Sequence, residues 1–258
     1  MNGEFVARRF GAHLVGGFGI LDGLELGLIV PFALWQDGRT HGDLGTLQAE
    51  ALRLAQRVIE SPRPKPTIVT LGADTRAFLD VFMEAPEVVI VGGGHVGRAL
   101  ASVAHVMGYR MSVIDDRASF ANQERFPEAD RVIAGDIGEA IRAFPATVNS
   151  AIVIVTRGHK YDYQALSAAA ATDAGYIGLM GSRRKVALIY RQLRADGVPE
   201  ERLRDIHAPI GLDIGAVSPE EIALSIMAEI TMERAGGSGT PLRARFDSVA
   251  AAQRRSAT

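Results

Sequence analysis

The sequence contains no cysteine among its 258 residues. Disulfides, thiolate metal sites, thiol nucleophiles and a persulfide carried on this chain are all excluded. Histidine is sparse and scattered: His13, His41, His95, His105, His159 and His207 form no HxxxH or HxH pair, so no spacing marks a metal site and none is expected. An excess of one charge is missing too. Lys and Arg number 28 against 30 Asp and Glu, a formal net charge of −2, which gives no general attraction to nucleic acid or acidic membranes. No apolar run is long enough for a membrane span. The opening MNGEFVARRF lacks the charged-then-apolar layout of a signal peptide, so a cytoplasmic location is expected. What is present is core material, 47% hydrophobic residues, in a length that suits one large or two small domains.

The most informative stretch is Glu87 to Gly97, EVVIVGGGHVG. Four β-branched apolar residues run into Gly92, Gly93 and Gly94, followed by His95, Val96 and Gly97. This reads as a buried strand, a glycine turn with G-x-G-x-x-G spacing and a helix start. Glycine permits the tight turn and the close approach of a pyrophosphate, and the helix N-terminus favours its charge. Tight packing alone also produces such turns, so the motif needs support from elsewhere in the chain.

Residues 1–86 read as a small α/β unit. Residues 28–35 (LIVPFALW) suit a strand that Pro31 demotes to an edge or splits. Asp37-Gly38 is a turn signal. Leu47, Ala51, Leu54, Ala55 and Val58 have helical spacing, with Thr46 as the expected N-cap, and the prolines at 62, 64 and 66 stop the helix. Residues 67–71 and 77–83 suit a hairpin. Residues 87–236 alternate strand and helix. Strands are expected at 110–114, 131–134, 151–155 and 176–180. Helices are expected at 96–107, near 163–174 and after residue 185, with a last helix opening on Ser218-Pro219-Glu220-Glu221, a capping box. The fold class is α/β: a Rossmann-like, doubly wound parallel sheet preceded by a small N-terminal α/β domain. Residues 237–258 have no sustained apolar period and are expected to form a mobile tail.

In such a sheet, ligands bind at the carboxyl ends of the strands. Those ends carry GGGHVG, DDR, GD, TRGHKYD and GSRRK in turn. Asp115 lies 23 residues beyond Gly92 and ends the second strand, where an acid accepts hydrogen bonds from a ribose; a turn aspartate is the alternative. Arg117 suits either a phosphate contact or a pairing with Asp116. His159 with Asp162 suits hydrogen bonding to a ligand or acid–base chemistry. Gly181, Ser182, Arg183, Arg184 and Lys185 bring amides, a hydroxyl and cations to a helix start, as an anion site or a solvated turn. His207 and Asp213, in IHAPIGLDIG, suit a pocket wall or a surface connection. The candidate cofactor-binding set is therefore Gly92, Gly94, His95, Gly97, Asp115, Arg117, His159, Gly181, Ser182, Arg183, Arg184, His207 and Asp213.

Taken together, GGGHVGRALA, VIDDRASFAN, VTRGHKYDYQAL, YIGLMGSRRKV and IHAPIGLDIGAVSPEEIALSIMAEI resemble the XdhC/CoxI family of xanthine dehydrogenase accessory factors. The resemblance implies a C-terminal Rossmann-like domain. It also implies a chaperone that binds molybdenum cofactor (molybdopterin), supports its sulfuration and helps insert it into an apo molybdenum hydroxylase. The implied partners are that hydroxylase, a cysteine desulfurase and a second copy in a homodimer, with no nucleic acid. DGRTHGDLGTLQAEAL is similar to the family's N-terminal turn leading into a helix with a glutamate, here Glu50. The cysteine usual in that stretch is absent, so this chain offers no thiolate contact there. NAD(P)-dependent oxidoreduction is the competing reading. GGGHVG and Asp115 support it, and the absence of a Y-x-x-x-K pair weighs against it. A nucleotide-sensing or assembly role with no chemistry of its own is a third.

Overall fold

A computed structural model describes residues 18–21, 29–30, 32–34, 38–59, 66–73, 75–81 and 85–244. The chain forms two compact units, Met1–Glu84 and Ala85–Thr258.

Among the described residues of the first unit the strands are β1 (Phe18–Leu21), β2 (Ile29–Val30), β3 (Ala33–Leu34), β4 (Thr40–His41), β5 (Thr67–Leu71) and β6 (Thr75–Leu79), and the α-helix is α1 (Gln48–Ile59). A four-stranded antiparallel sheet runs in the order β2-β1-β6-β5, and β3 pairs separately with β4. Of the two outcomes expected for 28–35, an edge strand or a split at Pro31, the split is found: β2 and β3 lie in two different sheets. Pro31 itself, residues 61–65 and Asp37 lie outside the described residues. Thr46 is not an N-cap: it sits inside a 3-10 turn, Gly45–Leu47, that winds directly into α1. The β5–β6 hairpin forms, with β6 starting two residues earlier than expected. Its turn places Gly72 at φ +61, and the Gly72 N–H donates to the Glu50 carboxylate at 2.8 Å. Phe32, Leu34, Ala51, Ala55, Leu71, Ala77 and Leu79 form the core.

The second unit contains β7 (Glu87–Val91), α2 (His95–Val106), β8 (Arg110–Asp115), β9 (Arg131–Ala134), α3 (Ile137–Ala143), β10 (Ser150–Ile154), α4 (His159–Ala170), β11 (Tyr176–Leu179), α5 (Arg183–Ala195), α6 (Glu200–Arg204), β12 (Ile206–His207) and α7 (Pro219–Ala235). Its six strands are all parallel, in the order β12-β11-β10-β7-β8-β9. Counted from β7, this is the 3-2-1-4-5-6 order of dinucleotide-binding sheets, with the reversal between β7 and β10. Every residue of β7 and β10 is buried, as expected for parallel strands covered on both faces. Val88 and Ile90 pack against α2 and α7. Val89 and Val91 pack against α3, α4 and α5.

Beyond shifts of a residue or two, two features of this unit differ from expectation. Helix α4 begins at His159, four residues early, because the chain enters the helix directly from the strand-end turn at Gly158. The loop expected from Ile206 opens with β12, which adds a sixth strand beside β11. At the C-terminal end of α7, Gly236 is left-handed, and the Gly237 N–H donates to the Met232 carbonyl. Residues 245–258 lie outside the described residues. The capping box at Ser218 forms with Pro219 at N1 and Glu221 at N3. Among the described residues, no helix is long and apolar enough to cross a membrane.

Candidate functional site

The three motif glycines play three different parts. Gly92 takes φ +119, and a Cβ there would lie 2.6 Å from the Val155 carbonyl oxygen. A Cβ on Gly97 would lie 1.9 Å from the Gly92 carbonyl oxygen. These two allow the turn and let α2 seat against β7. A Cβ on Gly94 would meet nothing within 4 Å. Gly94 is therefore the glycine that opens the backbone to a ligand, as the second glycine of a phosphate-binding turn must. It is also the N-cap of α2, and no side chain caps that helix. The same holds across the reversal point. Gly158 is the N-cap of α4 with no side-chain cap, and open space surrounds its Cβ position. Because β7 and β10 are neighbours and their helices lie on opposite faces of the sheet, the two uncapped N-termini flank one crevice.

Basic side chains crowd this edge. His95 is the first residue of α2, His159 the first of α4, and Arg183 and Arg184 the first two of α5. All four are exposed, and among the described residues none has an ion-pair partner. A cation at a helix N-terminus opposes the dipole by about 0.3–1 kcal/mol. Arg183 and Arg184 carry that cost at the start of α5, which makes sense where an anion is to be held, and His95 and His159 bring imidazole hydrogen-bonding groups to the same edge.

Asp115 departs from its expected role. The carboxylate is 2% exposed. Its Oδ2 accepts from the Gly93 N–H at 2.8 Å and from Arg117 Nη2 at 3.0 Å. Its Oδ1 accepts from the Arg117 N–H at 3.0 Å and from Arg117 Nε at 2.9 Å. Burial pushes its pKa up, but the Arg117 guanidinium and the two amides outweigh that and hold it below the usual carboxylate range. Arg117 thus pairs chiefly with Asp115. It lies 3.8 Å from Asp116, and its guanidinium stacks over Phe120 at 3.5 Å. Asp116 instead receives Arg157 at 2.7 Å, an ion pair that joins the ends of β8 and β10 across the end of β7.

At the next strand end, Ser182 caps α5, its Oγ accepting from the Lys185 N–H at 3.3 Å. Lys185 folds over Gly181 and forms an ion pair with Asp162, which is fully buried. The other Asp162 oxygen accepts from the Thr156 hydroxyl at 2.6 Å. This network ties β10, α4 and α5 together beside the crevice. Of the basic residues in GSRRK, Lys185 is thus built into the fold, while Arg183 and Arg184 project outward.

His207 ends β12 and stacks on Tyr176, with ring centroids 4.4 Å apart. Its Nδ1 lies 3.5 Å from Glu229 Oε1. Glu229 Oε2 accepts from the Tyr176 hydroxyl at 2.6 Å and from the Gly211 N–H at 2.8 Å. The Glu229 carboxylate raises the His207 pKa against the effect of burial. Burial, then Glu229, drives the Tyr176 phenol far above its ordinary range. Burial would raise Glu229, but His207, Tyr176 and Gly211 together hold it low. Asp213 is exposed on the following loop and, among the described residues, makes no hydrogen bond or ion pair.

The sheet therefore gathers Gly92, Gly94, His95, Gly97, Asp115, Arg117 and His159 at the three adjacent strand ends β8, β7 and β10. Gly181, Ser182, Arg183 and Arg184 are one strand further. At about 4.8 Å per strand, His207 stands roughly 14 Å from the glycine turn, beyond the reach of a single phosphate held there. Thr156, Tyr176 and Glu229 escape a reading by motif, and GSRRK marks Lys185 without its buried partner Asp162. Their roles arise from partners up to 53 residues away in sequence.

Comparison with known proteins supports the architecture. Residues 88–230, more than half of the chain, match the family model described as the XdhC Rossmann domain. Over 165 residues the chain is 37% identical to the uncharacterized protein YqeB of Escherichia coli K12, covering 62% of this chain and 30% of that one. Over 160 residues it is 29% identical to a Bacillus subtilis protein described as a probable xanthine dehydrogenase component, covering 62% of this chain and 46% of that one. The chain thus spans less than half the length of either curated relative. Among solved structures, a Bacillus halodurans protein described as a xanthine dehydrogenase superposes with a TM-score of 0.51 over 86% of this chain and 91% of that one. At 17% identity, that likeness concerns the fold.

Proposed function

The chain belongs to the XdhC family, and on that premise we propose that it is an accessory factor of a xanthine dehydrogenase-type molybdenum hydroxylase, holding molybdenum cofactor by its phosphate end. The observation that carries this reading is the pair of open, uncapped glycine N-termini, Gly94 and Gly158, with His95, His159, Arg183 and Arg184, exposed and without an ion pair among the described residues, along the same edge. A cradle in which a Cβ would find empty space, beside these basic side chains, fits a phosphate or pyrophosphate. When bound, the cofactor supplies the molybdenum centre on which the hydroxylase depends. This chain's residues bind and orient its anionic end. With no cysteine in the chain, sulfur for the metal comes from a partner, which gives a cysteine desulfurase its place in the proposal. The Bacillus subtilis relative, described as a probable xanthine dehydrogenase component, supports a molybdenum hydroxylase as the recipient. A homodimer and a cytoplasmic location complete the proposal.

The test is a titration of the anaerobically purified protein with molybdopterin and, separately, with NAD(P)H. Saturable molybdopterin binding that weakens with salt supports the proposal. Binding of NAD(P)H without molybdopterin binding overturns it in favour of an oxidoreductase.

A further inference from the structure

A Rossmann-type site holds a dinucleotide at two points: the pyrophosphate on the glycine turn, and a ribose hydroxyl on the acid that ends the second strand. Here the first point is open and the second is filled. A carboxylate has two oxygens and about four acceptor positions. At Asp115 all four are used, by the Gly93 N–H, the Arg117 N–H, and Arg117 Nε and Nη2. The two side-chain bonds form a bidentate pair, the strongest arrangement available to these groups. Phe120 holds the guanidinium from its other side, with its centroid 3.5 Å from Arg117 Cζ. Arg125 steadies the same corner, donating to the Gly93 carbonyl at 3.2 Å and lying 5.1 Å from the Phe120 ring. A ribose diol approaching Asp115 would have to displace Arg117 from both oxygens and from the ring.

We propose that Arg117 sets the ligand specificity of this site: its guanidinium fills the position of a ribose diol, so the crevice rejects nucleotides that bind through an unesterified ribose and accepts ligands held by phosphate alone. This rests on the phosphate-cradle reading above and narrows it. Arg117, which is 30% exposed, then closes the ribose end of the crevice, and the phosphate is left to the glycine turns. The Asp115 carboxylate becomes a support for Arg117 and for the Gly93 amide instead of a ligand contact.

The experiment is calorimetric titration of the full chain with ADP-ribose and with inorganic pyrophosphate, on wild type, Arg117→Ala and Arg117→Gln. Removing the guanidinium leaves Asp115 its two backbone donors and frees two acceptor positions. Arg117→Ala is expected to bind ADP-ribose about tenfold or more tightly than wild type, the range of charge-assisted hydrogen bonds, with pyrophosphate affinity changed less than about threefold. Arg117→Gln, which keeps one donor beside Asp115, is expected to fall between the two. It decides the question if the alanine variant fails to show a cooperative melt. Wild type binding ADP-ribose as tightly as the folded variants, with pyrophosphate still bound, overturns the assignment of Arg117 alone. Failure of pyrophosphate to bind any of the three proteins overturns the phosphate cradle as well.

Discussion

Gly94→Ala and Gly97→Ala should separate binding from folding, though only two residues lie between them. At Gly97 an added methyl would sit 1.9 Å from the Gly92 carbonyl oxygen, against the 3.4 Å or more of an ordinary contact, and 3.3 Å from Ile90. Strand β7 and helix α2 would have to separate by about 1.5 Å at a point where the core is fully packed. Overpacking of that kind costs about 3 kcal/mol. For a unit of this size, that corresponds to a fall in Tm of roughly 6–12 °C. At Gly94 the backbone lies at φ −71 and ψ −164, which alanine adopts without strain, and the space beyond is open. Lower chain entropy in the unfolded state and the weaker N-cap preference of alanine nearly cancel, leaving stability within about 0.5 kcal/mol. The methyl would nevertheless stand where a phosphate oxygen must meet the amides, so affinity for pyrophosphate should fall about tenfold or more. Thermal melts by circular dichroism, with calorimetric titration, check both. Gly97→Ala melting within about 2 °C of wild type, or Gly94→Ala binding pyrophosphate as wild type does, would refute the division of roles.

Three further outcomes follow from the geometry. Lys185→Met leaves the fully buried Asp162 with only the Thr156 hydroxyl, and denaturant unfolding should show a loss of about 3 kcal/mol; adding Asp162→Leu should recover much of it, because the buried charge goes too. If the double variant is as unstable as the sum of the singles, the pair is not coupled. Because Glu229 raises the folded-state pKa of His207, this contact stabilises fully below the ordinary histidine value of about 6.5 and is lost as pH rises through the raised value. The stability gap between wild type and His207→Gln should therefore shrink from pH 6 to pH 9, and a pH-independent gap would contradict the pairing. Ser218→Ala should cost about 1 kcal/mol through the lost cap of α7, read as a lower Tm with ligand affinity unchanged.

The central strands β7 and β10 are legible in the sequence because they are short apolar runs rich in β-branched residues, and burial on both faces leaves them no polar alternation. The capping box at Ser218 is legible because its chemistry is local. The start of α4 is not, since its first turn, His159-Lys160-Tyr161-Asp162, carries neither a capping side chain nor an apolar face. β12 is too short to show a period, and it is a strand only because β11 offers it an edge. At the site, the glycine spacing identifies the turn, but only coordinates show that Gly94 is open while Gly97 is filled. The DDR sequence places an acid correctly at the end of the second strand. That its acceptors are taken by Arg117 and the Gly93 N–H, with the guanidinium lying over Phe120, depends on side-chain packing that the spacing does not record. Asp162 with Lys185, and Tyr176 with Glu229, are joined by the packing of helices onto the sheet, which no linear spacing records.

On the function proposed above, the carboxyl edge of the parallel sheet, at the reversal between β7 and β10, holds the phosphate end of molybdenum cofactor. Hydrogen–deuterium exchange of the full chain, with and without saturating molybdopterin, tests it most directly. Protection is expected in the segments containing Gly92–Gly97, Gly158–Asp162 and Ser182–Lys185, with little change in the Tyr176–Glu229 corner. Protection confined to other segments, or none at saturation, would contradict the account.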